Sequence, residues 1–200
     1  MSCSSDYSKE NRPRKKIGVL LVTLALVAGL VVSPVANAQD TASKEGTTDT
    51  PEKRLAALGI ELPTPPPPVA NYVRAVTTGN LVFLAGHGPL KADGTYVTGR
   101  LGKDLKLEEG YEAARLTAIA LLASLKAEIG ELSRVKRVVK VHGMVNSDPA
   151  FTDQPKVING CSDLLVSIFG DRGKHARAAV GMASLPIGIA VEIEMVVEVE

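Results

Sequence analysis

The sequence predicts an α+β sandwich in which two helices lie on one face of a single sheet, and three stretches carry that prediction. Leu107, Tyr111, Ala114, Ala118, Leu122, Leu125 and Ile129 recur at helical spacing, while Glu108, Glu109, Glu112, Arg115 and Lys126 take the other side. That pattern makes a long amphipathic helix stopped by Gly130. A second helix, capped by Asp153 and ended by Gly170, gathers Val157, Ile158, Cys161, Leu164, Leu165 and Ile168 on one face. The C-terminal stretch alternates instead. Ile187, Ile189, Val191, Ile193, Met195, Val197 and Val199 form one wholly apolar face, and Gly188, Ala190, Glu192, Glu194, Val196, Glu198 and Glu200 form the other. Two helices cannot cover both faces of such a sheet. The acid-bearing face is left for a solvated or intersubunit cavity, which predicts an oligomer.

The remaining elements follow in order. Thr50-Pro51-Glu52 supplies a cap, a proline at the first helical position and an early acid, so a short helix should run to Gly59. Pro63 to Pro68 contains a four-proline run that must be extended, a stiff strap laid over the domain. Tyr72 to Thr77 and Leu81 to Ala85 are β-rich and are joined at Thr78-Gly79-Asn80 as a hairpin. Gly86-His87-Gly88-Pro89 and Ala92-Asp93-Gly94-Thr95 read as loops. Val135 to Val145 is strand-like, and two last strands, His175 to Ser184 and Ile187 to Glu200, meet at Leu185-Pro186. The order is β-β-α-β-α-β-β, with residues 71–200 as the folded domain and residues 39–70 as a linker holding the short helix and the strap.

Residues 1–38 read differently. A basic cluster at 12–16, the uncharged run Ile17 to Val32, and Ala36-Asn37-Ala38 are the three parts of a secretory signal peptide, with cleavage expected after Ala38. The alternative is an uncleaved membrane anchor, since the apolar run falls only slightly short of the roughly 18 to 20 residues that span a bilayer. Export to the periplasm or medium, with no membrane association after cleavage, is the expectation. Five of the 23 basic and two of the 22 acidic residues lie before residue 39, which leaves 18 basic against 20 acidic, a net of −2. A slightly acidic body with 4% aromatic residues and no Trp has neither the charge nor the stacking surface that nucleic-acid binding needs. Cys3 and Cys161 are the only cysteines. The first goes with the signal, so the mature chain has no internal disulfide, and Cys161 sits on an apolar helix stripe as a structural thiol.

The chain contains no P-loop, no nucleophile elbow and no metal-spaced His/Cys cluster. His87, His142 and His175 are scattered and lack ligand spacing, so neither a metal nor a cofactor is expected. What stands out is Arg177 in the run Ala176-Arg177-Ala178-Ala179-Val180-Gly181. A planar guanidinium among small neighbours has room for a carboxylate ligand. An ordinary cross-strand ion pair with Glu192 or Glu194 would account for the same residue types, and spacing alone does not choose between the two.

His175-Ala176-Arg177-Ala178-Ala179-Val180, then Leu185-Pro186, then Val191-Glu192-Ile193-Glu194 resembles the C-terminal signature of the Rid/YjgF family (reactive intermediate deaminase, endoribonuclease L-PSP-like). Asn71-Tyr72-Val73, Gly79-Asn80-Leu81-Val82-Phe83, Ala85-Gly86-His87 and Asn159 match as well. Gly160-Cys161-Ser162-Asp163-Leu164-Leu165 and Gly173-Lys174-His175 resemble its longer YjgF-like subgroup. The resemblance implies a chorismate-mutase-like fold assembled as a homotrimer, with sites in the clefts between subunits. It implies cofactor-free hydrolysis of small 2-imino or 2-enamine acids. Arg177 would hold the substrate carboxylate, Gly86 and Asn159 would line the cleft, Glu192 would orient water, and Tyr72 would close the pocket or relay a proton. Ala85 stands where the family often has Ser, and Ala178 and Ala179 stand where it more commonly has Ser and Thr or Cys. A trimer that binds a small carboxylate metabolite without catalysis is the second reading, and endoribonuclease activity is the third.

Overall fold

A computed structural model describes residues 49–68 and 70–200. The predicted signal peptide lies outside the described residues. Helix α1 (Pro51–Ala57) opens as its sequence dictates, with the Thr50 hydroxyl accepting the Lys53 N–H at 3.3 Å. It is docked rather than loose. Leu55 is buried in the core, Glu52 accepts the backbone N–H of Leu132 at 2.8 Å, and Arg54 reaches the carbonyl of Ile168 at 3.2 Å.

Strands β1 (Ala75–Thr78) and β2 (Leu81–His87) form the predicted hairpin, turning at Gly79, whose φ of 58° suits a residue without a Cβ. Strand β1 begins at Ala75, three residues later than Tyr72. Helix α2 (Leu107–Ile129) starts where the Glu109 carboxylate accepts the Lys106 N–H at 2.8 Å. Strand β3 (Val135–Asn146) leads into helix α3 (Gln154–Phe169), and strands β4 (Ala176–Met182) and β5 (Val191–Val199) complete the domain. Asp153 does precede α3, but its side chain makes no capping bond. The carboxylate lies instead on Lys156 at 3.1 Å.

The five strands are ordered β1-β2-β5-β3-β4, with β3 and β4 parallel and the other pairs antiparallel. This corrects the placement of the last two strands. They do not meet at Leu185-Pro186, because β3 lies between them. A parallel pair needs a long crossover, and α3 supplies it from β3 to β4. That puts β4 on the edge, and β5 returns past the end of β3 to fill the centre. Strand β5 suits the centre because Val191, Ile193, Met195, Val197 and Val199 are all buried against the helices. Ile187 is the exception to the predicted stripe. It belongs to a 3₁₀ turn at Pro186–Gly188, has φ of 48°, and is 75% exposed.

Helices α2 and α3 pack on each other and on that apolar face. Gly160 of α3 makes the close approach possible: a Cβ there would collide with the backbone carbonyl of Tyr111 on α2. The other sheet face stays open, with Val76, Phe83 and Val180 exposed on it.

Candidate functional site

Arg177 stands on the edge strand in register with Val141, which is fully buried, so its side chain projects to the helix side of the sheet. There it meets α3. Its Nη1 donates to the Asn159 side-chain oxygen at 2.8 Å and to the Ser162 hydroxyl at 3.0 Å. Ser162 in turn lies 3.1 Å from His175 Nε2, and His175 Nδ1 lies 2.7 Å from the carbonyl of Gly173. A carbonyl only accepts, so Nδ1 carries the proton and Nε2 takes the hydrogen of Ser162. The serine oxygen is then left to accept from Arg177. Burial lowers the pKa of His175, more than the Gly173 carbonyl raises it, and the nearby charge of Arg177 adds to the lowering. The ring is therefore neutral near pH 7, which is the form this chain of bonds requires.

Arg177 has no acidic partner among the described residues. The cross-strand ion pair is ruled out by topology: Glu192 and Glu194 are on β5, beyond β3, and Glu194 lies against His142 at 3.1 Å. The guanidinium is half-buried and held by neutral oxygens, with the rest of its fork uncommitted. Ser162 and His175 are the supporting residues that sequence reasoning missed. The signal was present for one of them, since Ser162 lies three residues after Asn159 and shares its helix face.

Glu192 occupies the opposite, open face of the sheet, paired in register with Met144 of β3. Its carboxylate lies over Gly86, in the space a Cβ on residue 86 would take. Strand β2 carries a bulge between Leu84 and His87, where its register against β5 shifts. Burial raises the pKa of Glu192, and the charge of Glu194 raises it further. Tyr72 is 46% exposed and, with Gly86, borders a cavity of about 110 Å3 that His87 and Ser124 also line. His87 Nδ1 donates to the Ala85 carbonyl at 2.7 Å, and Nε2 accepts from Ser124 at 2.7 Å. Gly86 and Glu192 thus meet on the open face of the sheet and Asn159 and Arg177 on the helix side, while Tyr72 lies beside Gly86 at a cavity that Ala120, Ala123 and Ser124 of α2 also line. Cys161 is fully buried, and burial pushes its thiol up to about 12, so it is no nucleophile. Among the described residues no cluster of His, Cys, Asp and Glu could hold a metal ion.

Residues 52–199 match the family described as "YjgF/chorismate_mutase-like, putative endoribonuclease". This chain belongs to that family. Its fold is accordingly the YjgF/chorismate-mutase-like one, in agreement with the strand order above. Among relatives, Protein TCP17 of Trypanosoma cruzi is 47% identical over 145 residues, covering 72% of this chain and 91% of that protein. A 2-iminobutanoate/2-iminopropanoate deaminase of Dermatophagoides farinae is 28% identical over 143 residues, covering 70% and 95%. The crystal structure of a "putative endoribonuclease" from Shewanella oneidensis is 34% identical and superimposes with a TM-score of 0.72 over 75% of this chain and 99% of that one. The match to the YjgF family spans α1 as well as the sheet, consistent with the burial of Leu55.

Proposed function

We propose that this protein hydrolyses small 2-imino and 2-enamine acids to 2-oxo acids and ammonia, without a cofactor. The observation that carries this reading is the half-buried Arg177 guanidinium, fixed by Asn159 and Ser162 and lacking an acidic partner among the described residues. Such a group is poised for two parallel hydrogen bonds to a carboxylate. The deaminase name of the Dermatophagoides relative supports the choice of substrate class.

The chemistry asks for little beyond position. A protonated imine carbon is already electrophilic, so an oriented water suffices. The water oxygen bonds to the imine carbon as Glu192 takes one of its protons. The proton passes to nitrogen, the C–N bond breaks with its electron pair leaving on ammonia, and Glu192 takes the hydroxyl proton as the carbonyl of the 2-oxo acid forms. The raised pKa of Glu192 suits a group that must accept a proton and return it.

Arg177 and Glu192 face opposite sides of the sheet, so one chain presents two half-sites. A homotrimer in which Arg177 of one subunit faces Tyr72, Gly86 and Glu192 of the next would complete the site, and the exposed Val76, Phe83 and Val180 support burial of the open face. Light scattering of residues 39–200 should give about three times the monomer mass, and a stable monomer would remove the shared site. Ala178 and Ala179 offer no hydroxyl beside Arg177, which favours a non-catalytic carboxylate binder as the second reading. Ammonia release from freshly generated 2-iminobutanoate, above the spontaneous rate, separates the two. Binding of 2-oxobutanoate without ammonia release would establish the binder. RNA cleavage by the same preparation, with no imine hydrolysis, would replace both with the endoribonuclease reading.

A further inference from the structure

The open face of the sheet carries a charged pair that the hydrolytic step does not itself use. His142 of β3 and Glu194 of β5 stand opposite each other in register, and His142 Nδ1 lies 3.1 Å from a carboxylate oxygen of Glu194. Met144 and Glu192 are the next such pair on that face. Val141, Ile193 and Met195 are buried on the helix side, and a Cβ on Gly143 would strike Ile158 of α3. By alternation His142, Glu192 and Glu194 therefore share the open face.

The two carboxylates leave β5 in opposite directions. Glu192 lies over Gly86 of β2, while Glu194 is drawn toward β3 by His142. Alternate residues of a strand are about 7 Å apart, close enough for one charge to act on the other. Burial raises the pKa of Glu192, and the charge of Glu194 raises it further. A group that takes a proton from water must first be a carboxylate, so the charge of Glu194 opposes the step. His142 counters it. An imidazole is protonated over the range in which carboxylates titrate, and a cation beside Glu194 offsets the field that reaches Glu192.

The surroundings of the pair are otherwise mostly apolar. Strand β4 places Ala178 beside His142 and Val180 beside Met144, and β2 brings Phe83 and Gly86. Lys140 stands one pair further along β3, in register with Val196. Beyond it Arg137 is opposite Glu198, whose carboxylate lies 3.7 Å from Lys136. In the trimer proposed above, Arg177 of the next subunit also faces Glu192.

We propose that His142 is a positioning residue for the hydrolytic step: by holding Glu194 toward β3 and countering its charge, it keeps Glu192 a carboxylate able to take the proton of water. The inference rests on the reading of Glu192 as the group that activates water.

The test is the pH dependence of the purified assembled protein and of His142→Gln, His142→Arg and Glu194→Gln. The side chains of His142 and Glu194 are 37% and 49% exposed, so the fold does not depend on the pair. Circular dichroism and light scattering check fold and assembly of each variant, and His142→Thr replaces any His142→Gln protein that fails either check. Two readouts are taken. The pH profile of kcat/KM, from ammonia release by 2-iminobutanoate above the spontaneous rate, reports the free protein's essential groups. Carbon-13 resonances of the glutamate carboxyls, with the Glu192 signal assigned by its loss in Glu192→Gln, follow Glu192 without turnover.

A unit charge at about 7 Å moves a titration by about 0.5 to 1.5 pH units. His142→Gln keeps a hydrogen bond to Glu194 but removes the cation, so the acid limb of the profile and the Glu192 titration should both move up by that amount. Glu194→Gln should move both down, and His142→Arg should leave them near the wild type. In a Glu194→Gln background, His142→Gln should shift them by less than half as much. An unmoved Glu192 titration in His142→Gln would overturn the proposal. So would a shift of full size in the Glu194→Gln background, because His142 would then act without Glu194. Ammonia release with an unmoved profile would remove the role of His142 while leaving imine hydrolysis in place. No ammonia from the imine would overturn the hydrolytic reading, and the catalytic role of His142 with it.

Discussion

Replacing Arg177 by alanine separates a ligand-holding guanidinium from a structural one. In the folded protein the Arg177 side chain makes two bonds, to Asn159 at 2.8 Å and to Ser162 at 3.0 Å, both to neutral and only half-buried partners. Their loss should cost about 0.5 to 1.5 kcal/mol of stability each at most, because both partners can turn to water. The effect on catalysis should be larger. Removing the bidentate partner of a carboxylate in a desolvated site costs about 2 to 5 kcal/mol, and at about 1.4 kcal/mol per factor of ten kcat/KM should fall by tens to thousands. Arg177→Lys should recover little, since a point charge cannot bond Asn159 and Ser162 while also presenting two parallel donors to the substrate. Ser162→Ala should give an intermediate loss, expressed mainly in KM, because it loosens Arg177 without removing the charge. The assay is ammonia release per folded protein, with circular dichroism confirming the fold of each variant. Unchanged kcat/KM in a folded Arg177→Ala protein would refute the assignment.

Further outcomes follow from particular contacts. Gly160→Ala places a Cβ against the backbone of Tyr111 and near the amide of Arg115. Backbone cannot rotate aside as a side chain can, so overpacking should cost about 1 to 3 kcal/mol, read as a fall of several degrees in Tm. A variant with unchanged Tm would mean that α2 and α3 are not held this closely. Burial lowers the pKa of His87 below its ordinary 6.5, against a smaller raising effect of the Ala85 carbonyl. The unfolded chain then binds more protons than the folded one between 6.5 and that lowered value, so stability rises with pH in that window. The contribution is fully present above about pH 6.5 and is lost as pH falls toward the folded value. Thermal melts from pH 8 to 5 should show this loss, and His87→Gln should flatten it. A variant that keeps the wild-type slope would place the titration elsewhere. Protein taken from the native envelope should begin at Gln39 by N-terminal sequencing, as the basic cluster, apolar run and Ala36-Asn37-Ala38 predict. A full-length cytosolic species would exclude export.

The sequence by itself determined the elements and their buried faces, because these depend on periodicity and local caps. Helix α2 ends at Ile129 before Gly130, and α3 ends before Gly170, as the spacing of their apolar residues requires. The stripe from Val191 to Val199 is buried as read. The family was legible from Arg177, Leu185-Pro186 and Glu192 in their order. What the sequence did not carry was which strands are neighbours. Arg177 and Glu192 look close across a short turn, yet the place of β4 beside β3 depends on the α3 crossover, and β5, with its stripe buried against the helices, then takes the centre. Pairing is a contest between distant segments for the same buried surface, and no local pattern records its result. The same holds for the support around Arg177. Ser162 meets His175 and Arg177 only because α3 and β4 lie side by side, so tertiary packing decided which oxygens hold the guanidinium and left it without an acid among the described residues.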